Sequence, residues 1–434
     1  MRALKKPSEP NSPDPCRGPW RLLLGLWVLT TWMAGCATPA AIQNMGALDQ
    51  PGETYLVDER ERRLIGEADE YHQELVGQGL IYREPEANAY VNRIADAVLP
   101  DLHTDAIRYR VFILKDASIN AFAFPNGNIY LNAGLIVRLD SEAKLAHVIA
   151  HEGAHVVHRH SYKGLVDRKS AVAGARLADV LLLGTGLSYV ATVTHMSSFS
   201  REMESEADLE ALRYLADTDY SIQDSVGVFR ELKEVKHDKE GASIWSSHPE
   251  NSRRLADGEA YIAAHAAVFH GQQTFAQRYE AFRQPLAELA FRLRLLQNNF
   301  ELAGDIARSE LEREGDSARW RCNLGEAAYR TAAFPDAAAR EHVWLYGAGD
   351  AEAVTLRYQS EAPANLRSAE ASFREALALD PDYARAKRGL GLVAYREGRR
   401  REALALLEAY LSSPGIPDRK YIESIIKKLN KQGA

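Results

Sequence analysis

The chain has 434 residues, 46% of them hydrophobic and 26% charged, with a formal net charge of −7. That is ordinary globular material with room for two or three buried cores, and the acidic balance gives no reason to expect a nucleic-acid partner. Of the three cysteines, Cys16 and Cys36 lie in the first 36 residues, so Cys322 stands alone and no intramolecular disulfide is expected.

The first 36 residues read as a targeting segment. Arg2, Lys5, Lys6, Arg17 and Arg21 form a basic leader, Leu22 to Trp32 an apolar run too short for a comfortable membrane span, and Met33-Ala34-Gly35-Cys36 closes it. Small residues before a cysteine resemble a bacterial lipobox, which implies a signal peptide over 1–36 and lipid on Cys36. Ala37 resembles the signal of lipoproteins sent to the outer membrane. Residues 37–57 lack periodicity and are expected to be a tether. Helices are predicted over 58–77 and 84–98, and a half-buried strand over 108–114. The stretch NAFAFPNGNIYL, from Asn120 to Leu131, reads as strand, turn, strand, with Pro125 and Gly127 punctuating it. Proline there places the hairpin at a sheet edge or turn, where a peptide could add as a further strand.

A helix is predicted over 141–160, with Ser141 as N-cap and Glu142 and Lys144 on its exposed side. It contains HEGAHVVHRH, His151 to His160. His151 and His155 lie one turn apart and can reach one ion, with Glu152 at the edge of that face, the HExxH arrangement of a zinc hydrolase. The apolar segment 171–193 is interrupted by Arg176, Asp179 and Gly184-Thr185-Gly186, and is expected to pack over the site, with contact to lipid or substrate as the alternative. Helices follow over 200–217, 222–237 and 252–264, with Trp245, His248 and Pro249 in the loop before the last.

Beyond residue 275 the composition turns to Ala, Leu, Arg and Glu with helical periodicity. Asn323–Arg330 and Gly389–Arg396 share Leu-Gly, Ala-Tyr and Arg in register, 66 residues apart, close to two 34-residue tetratricopeptide periods. Ala369, Phe373, Ala376 and Pro381 fall where such a repeat wants small, large, small and helix-ending residues. The expected fold class is α+β, mainly helical. A zincin-like domain with a small edge sheet occupies 58–268, and an α-solenoid of tetratricopeptide-like repeats occupies 275–430.

A catalytic zinc needs three protein ligands and an open position for water. The third ligand is sought in SREMESEAD, Ser200 to Asp208, where Glu204 and Asp208 share a helical face. Glu204 can bind metal while Asp208 orients a ligating histidine; Glu202 and Glu206 are rivals on spacing alone. His147, His158 and His160 are read as supporting or surface residues, since a fourth histidine would fill the water position.

HEGAHVVHRH followed by ESEAD from Glu204 resembles the gluzincin family of the heat-shock protease HtpX and the CAAX prenyl endopeptidase. The resemblance implies one zinc per chain on His151, His155 and Glu204, with Asp208 behind them and Glu152 as general base. Among family members, a proteolytic domain followed by repeats is most like a periplasmic one in which a histidine before a proline caps the zinc at rest. His248-Pro249, followed by Arg254, matches that stretch, and oxyanion support falls to either His248 or Arg254. The expected function is a lipid-anchored periplasmic zinc endopeptidase. Its expected substrates are proteins or peptides, misassembled outer-membrane proteins among them, and its repeats would meet the outer-membrane assembly machinery. The alternative is a chaperone-like binding module whose metal site is largely closed.

Overall fold

The computed structural model describes residues 45–50, 55, 57–164, 199–233, 251–347 and 349–431. The leader with Cys36, the segment 171–193 and the loop carrying His248 lie outside them. From Gly46 onward the chain forms one unit. No described helix is long and apolar enough to cross a membrane.

Helix α1 (Glu59–Gly77) starts on Asp58, whose carboxylate accepts from the backbone N–H groups of Arg60 and Glu61. Helix α2 (Pro85–Val98) follows, with proline in its first turn. Strands β1 (Arg110–Leu114), β2 (Ala121–Ala123) and β3 (Asn128–Asn132) make a three-stranded sheet in the order β1-β3-β2. β1 runs parallel to β3 and β2 antiparallel to it. Side chains alternate between two apolar clusters. Phe112, Phe122 and Tyr130 face Leu75 and Tyr71 of α1; Val111, Ile113, Ala121, Ala123, Ile129 and Leu131 face the main core. β1 keeps most of the half-buried pattern expected of it, with Val111, Ile113 and Leu114 buried, Phe112 partly covered and Arg110 exposed, whereas β2 and β3 are buried throughout. Gly127 closes the hairpin at φ 86°, where a Cβ would lie 2.4 Å from the Arg108 carbonyl oxygen, so only glycine fits.

Helix α3 (Ala133–Arg138) leads into α4 (Glu142–Val157), the HExxH helix. Ser141 caps it, its hydroxyl accepting from Lys144 N at 3.3 Å. Two expectations fail here. Glu142 and Lys144 are 2% and 7% exposed, not on a solvent face. Glu142 accepts hydrogen bonds from Tyr90, Tyr220 and Arg278, and Lys144 is held by Asp140 and Glu231. Neighbouring elements wrap the helix, so its charges are buried in pairs. The helix also ends at Val157, three residues before His160, because Arg159 turns left-handed at φ 58°.

Burial pushes the Glu142 carboxyl pKa up, but hydrogen bonds from Arg278, Tyr220 and Tyr90 overcome it and leave the pKa below its ordinary value. A carboxylate with a lowered folded pKa stabilises above its unfolded pKa, and that stability is lost as pH falls through the folded one. Glu142→Gln is expected to cost about 1–3 kcal/mol at neutral pH. Urea unfolding of the two proteins should converge as pH falls through the lowered folded pKa; a gap that persists once the carboxyl is protonated would mean the charge is not the cause.

Helices α5 (Arg201–Ala216), α6 (Ile222–Ser225) and α7 (Val228–Lys233) pack against α4, and α8 (Asn251–Ala264) packs on α5 and α7. The single helix expected from residue 222 is broken at Gly227, where a Cβ would meet the Asp224 carbonyl oxygen at 2.8 Å.

The remaining helices are α9 (Ala276–Leu296), α10 (Phe300–Glu314), α11 (Ala318–Ala333), α12 (Pro335–Tyr346), α13 (Ala351–Leu379), α14 (Ala384–Arg396), α15 (Arg400–Leu411) and α16 (Arg419–Lys431). The main core continues from the sheet into α9, α10 and α11 through Tyr279, Phe291, Ala303 and Trp320. Tyr279 donates to the Ile136 carbonyl (2.7 Å) and Arg294 to that of Ala117 (2.7 Å).

The two matching segments fall in α11 and α14. They are not two plain periods apart, because α12 and the single 29-residue α13 lie between them where two helix-pair periods would place three helices. The 34-residue interval appears instead between Phe373 of α13 and Leu407 of α15. Phe373 lies against Gly325 and Leu407 against Gly391, each where a glycine Cβ would collide with it at 2.8 and 2.6 Å.

Candidate metal centre

Helix geometry brings the first two donors together: His151 Nε2 and His155 Nε2 lie 3.1 Å apart on α4. Helix α5 packs across α4 and presents the third. Glu204 is 3% exposed, with one carboxylate oxygen 3.6 Å from His151 Nε2 and the other 3.5 Å from His155 Nε2. The three donor atoms converge within 4.8 Å, all from buried residues, and could hold a metal ion. Two imidazoles and one carboxylate are the donor set of many catalytic zinc sites, so these residues fit the ion that the sequence implies. Glu202 faces solvent, and Glu206 points to the far side of His155. Glu152 follows His151 and is fully buried.

Each histidine nitrogen facing away from the centre has its own support. His151 Nδ1 lies 3.0 Å from Asp208 Oδ1. His155 Nδ1 lies 2.9 Å from His160 Nδ1, and His160 Nε2 lies 3.0 Å from Glu206 Oε2. When His155 gives Nε2 to a metal its proton sits on Nδ1 and points at His160 Nδ1; the His160 proton then sits on Nε2, facing Glu206. Phe199 stacks on the His155 ring at 3.9 Å between centroids.

His160 can reach back only because the chain breaks at Arg159. That guanidinium, 3% exposed, makes a two-pronged ion pair with the buried Glu61 of α1, Nε donating to Oε1 at 2.7 Å, and lies 4.0 Å over the Tyr55 ring. Neither Glu61 nor Arg159 was expected near the site. The only sequence signal is His160 standing five residues after His155, off the four-residue face, which a straight helix would send elsewhere.

Arg254 comes from α8. Its Nε and Nη2 donate to the two oxygens of Asp208 at 2.7 and 2.6 Å, Nη1 is 3.4 Å from Glu204, and Nη2 is 3.4 Å from the His151 ring. Burial alone would raise the Asp208 pKa; the Arg254 charge and hydrogen bonds from His151 and Arg254 hold it well below the carboxylate range. Asp208→Asn keeps the shape but removes the charge. It is expected to weaken metal binding about 10–100-fold with the fold intact, read by competition with a chelator; unchanged affinity would remove Asp208 from the site.

His147 stays apart from the donors. It is 2% exposed, 3.5 Å from Ser225 Oγ and edge-on to Phe229, and burial drives its pKa down to about 3. Beside the centre, Ala123, Phe124 and Pro125 border a narrow crevice whose other wall includes His155 and Val156. β2 is an edge of the sheet, as expected, and Ala121 and Ala123 turn their backbone groups away from β3.

The profile of Peptidase family M48 matches residues 85–261. The chain is similar to a putative beta-barrel assembly-enhancing protease of Vibrio cholerae, 26% identical over 254 residues, covering 55% of this chain and 51% of the relative. It is similar to the beta-barrel assembly-enhancing protease of Escherichia coli, 27% identical over 203 residues (44% of this chain, 42% of the relative). A mitochondrial metalloendopeptidase of Arabidopsis thaliana is 28% identical over 152 residues (35% and 31%). The chain thus spans about half or less of the length of these relatives. The aligned family region includes His151, Glu152, His155, Glu204, Asp208 and Arg254, in keeping with the gluzincin resemblance of HEGAHVVHRH and ESEAD.

Proposed function

We infer from the peptidase family M48 domain that this chain carries over residues 85–261 that it is a metal-dependent endopeptidase, with one catalytic zinc on His151, His155 and Glu204. The convergence of those three donors from α4 and α5 is the observation that carries the reading. Zinc held there supplies Lewis acidity, polarising a peptide carbonyl and lowering the pKa of water towards about 7. Glu152 accepts the proton from the attacking water and hands it to the leaving amine. Asp208 and the His160–Glu206 pair fix which nitrogen of each ligand histidine faces the metal. Arg254, bound to Asp208 through two hydrogen bonds and close to Glu204, is assigned to positioning these carboxylates. For His248, outside the described residues, we propose oxyanion support and a resting-state cap from the resemblance of His248-Pro249 alone.

Substrate enters as an extended strand along β2, whose outward backbone groups and neighbouring crevice suit a peptide next to His155. The substrates we propose are misassembled outer-membrane proteins, by analogy with relatives named for β-barrel assembly. The helices from α9 onward are proposed to be degenerate tetratricopeptide-like repeats that meet protein partners, including the outer-membrane assembly machinery. The 34-residue interval between Phe373 and Leu407, each packed on a helical glycine, supports this. Residues 1–36 are proposed to be a lipoprotein signal peptide, with Cys36 anchoring the chain in the periplasm, to the outer membrane.

The test incubates casein and an unfolded outer-membrane protein with wild type, Glu152→Gln and His248→Ala. Zinc-dependent cleavage that disappears in Glu152→Gln, and rises or holds in His248→Ala, supports the peptidase. Binding without cleavage by all three would favour the chaperone-like module.

A further inference from the structure

A second set of donors lies directly behind the first. His158 Nδ1 is 3.1 Å from Glu206 Oε1 and His160 Nε2 is 3.0 Å from Glu206 Oε2, and the three residues offer donor atoms within 4.8 Å of one another. Two imidazoles and a carboxylate suit a borderline divalent cation such as zinc. The histidines are held ready by the turn at Arg159, itself locked to Glu61. His160 is fully buried, while Glu206 is 45% exposed at its side chain, which gives an entry from solvent.

We propose that His158, His160 and Glu206 form a second, weaker divalent-cation site whose filling opposes the first. The coupling rests on the reading of the first site, and follows from one hydrogen bond. With metal on His155 Nε2, His155 carries its proton on Nδ1 and needs His160 Nδ1, 2.9 Å away, as acceptor. A cation on His160 Nε2 displaces the proton there, and a neutral His160 then carries it on Nδ1. Two N–H groups would face each other, so the two cations cannot both keep their ligands in place without losing this bond. By linkage each weakens the other equally. Rising zinc would therefore first activate and then inhibit the enzyme.

The test counts metal in the whole chain after dialysis against buffered Zn2+ over a wide range of free concentration. Wild type is expected to take one tight and one weak equivalent, with cleavage falling as the weak one fills. His158→Ala should stop at one equivalent and lose the fall in cleavage at high zinc. Glu206→Gln, altered at an exposed group, repeats the count should His158→Ala misfold. His151→Ala should lose the tight equivalent and bind the weak one about tenfold or more tightly, because the opposing proton is gone. One equivalent in wild type across the range, or two in His158→Ala, overturns the second site. An unchanged weak affinity in His151→Ala overturns the coupling. A tight equivalent that survives His151→Ala contradicts the first-site reading instead, and the His158→Ala count stays independent of it.

Discussion

Glu152→Gln is expected to lower cleavage of an unfolded protein by about a thousandfold while zinc content stays at the wild-type level. Glutamine has the same size and shape, so the fully buried site around residue 152 gains neither cavity nor bulk. What is lost is the ability to take a proton from water and return it to the departing amine. The change touches none of the three donors, His151, His155 and Glu204, that could hold the ion. Parallel metal analysis and initial rates check this. Equal loss of zinc and of activity would show that Glu152 serves the ion or the fold and not the proton transfer.

The second large effect is on the metal itself. Glu204→Ala should lose bound zinc almost entirely, well beyond the 10–100-fold weakening typical of a supporting residue. It leaves two imidazoles, and it removes one of the two carboxylates, Glu204 at 3.4 Å and Asp208 at 2.6 Å, that balance the Arg254 guanidinium beside them. Glu202→Ala is the control, since Glu202 lies on the same helix but in solvent. If both variants kept their zinc, the third ligand would have to be sought elsewhere.

How much of this was legible beforehand depends on whether a residue's role is set locally. His151 and His155 could be paired from spacing because a helix fixes what lies four residues apart. Ser141 as N-cap was legible for the same reason. Glu204 was preferred through family resemblance, since spacing left Glu202 and Glu206 open; the way α5 lies across α4 turns Glu204 to the imidazoles and Glu206 to His160. Glu142 and Lys144 were misread because a charged residue in a first turn is usually solvated, and nothing local announces that Arg278, Tyr90 and Glu231 will cover them. The break at Arg159 was invisible: it is held by Glu61, 98 positions upstream. The sheet edge was readable from Pro125, whereas its burial on both faces depended on α1 packing over Tyr130.

The helical half shows the same division. The Leu-Gly of each matching segment, which contains Gly325 or Gly391, and Phe373 as a large repeat residue were legible; which of them meet was not. The helix interposed between Gly325 and Phe373 was not legible either, because a periodicity search measures distance along the chain and not which helix a side chain meets.

The most direct test of the central claim strips wild-type protein of metal with a chelator and returns Zn2+ in measured steps while casein cleavage is followed. Cleavage should vanish on stripping and return in proportion to zinc up to one equivalent per chain. Cleavage that survives metal removal, or one bound equivalent with no cleavage at all, would contradict a zinc peptidase centred on His151, Glu152, His155 and Glu204.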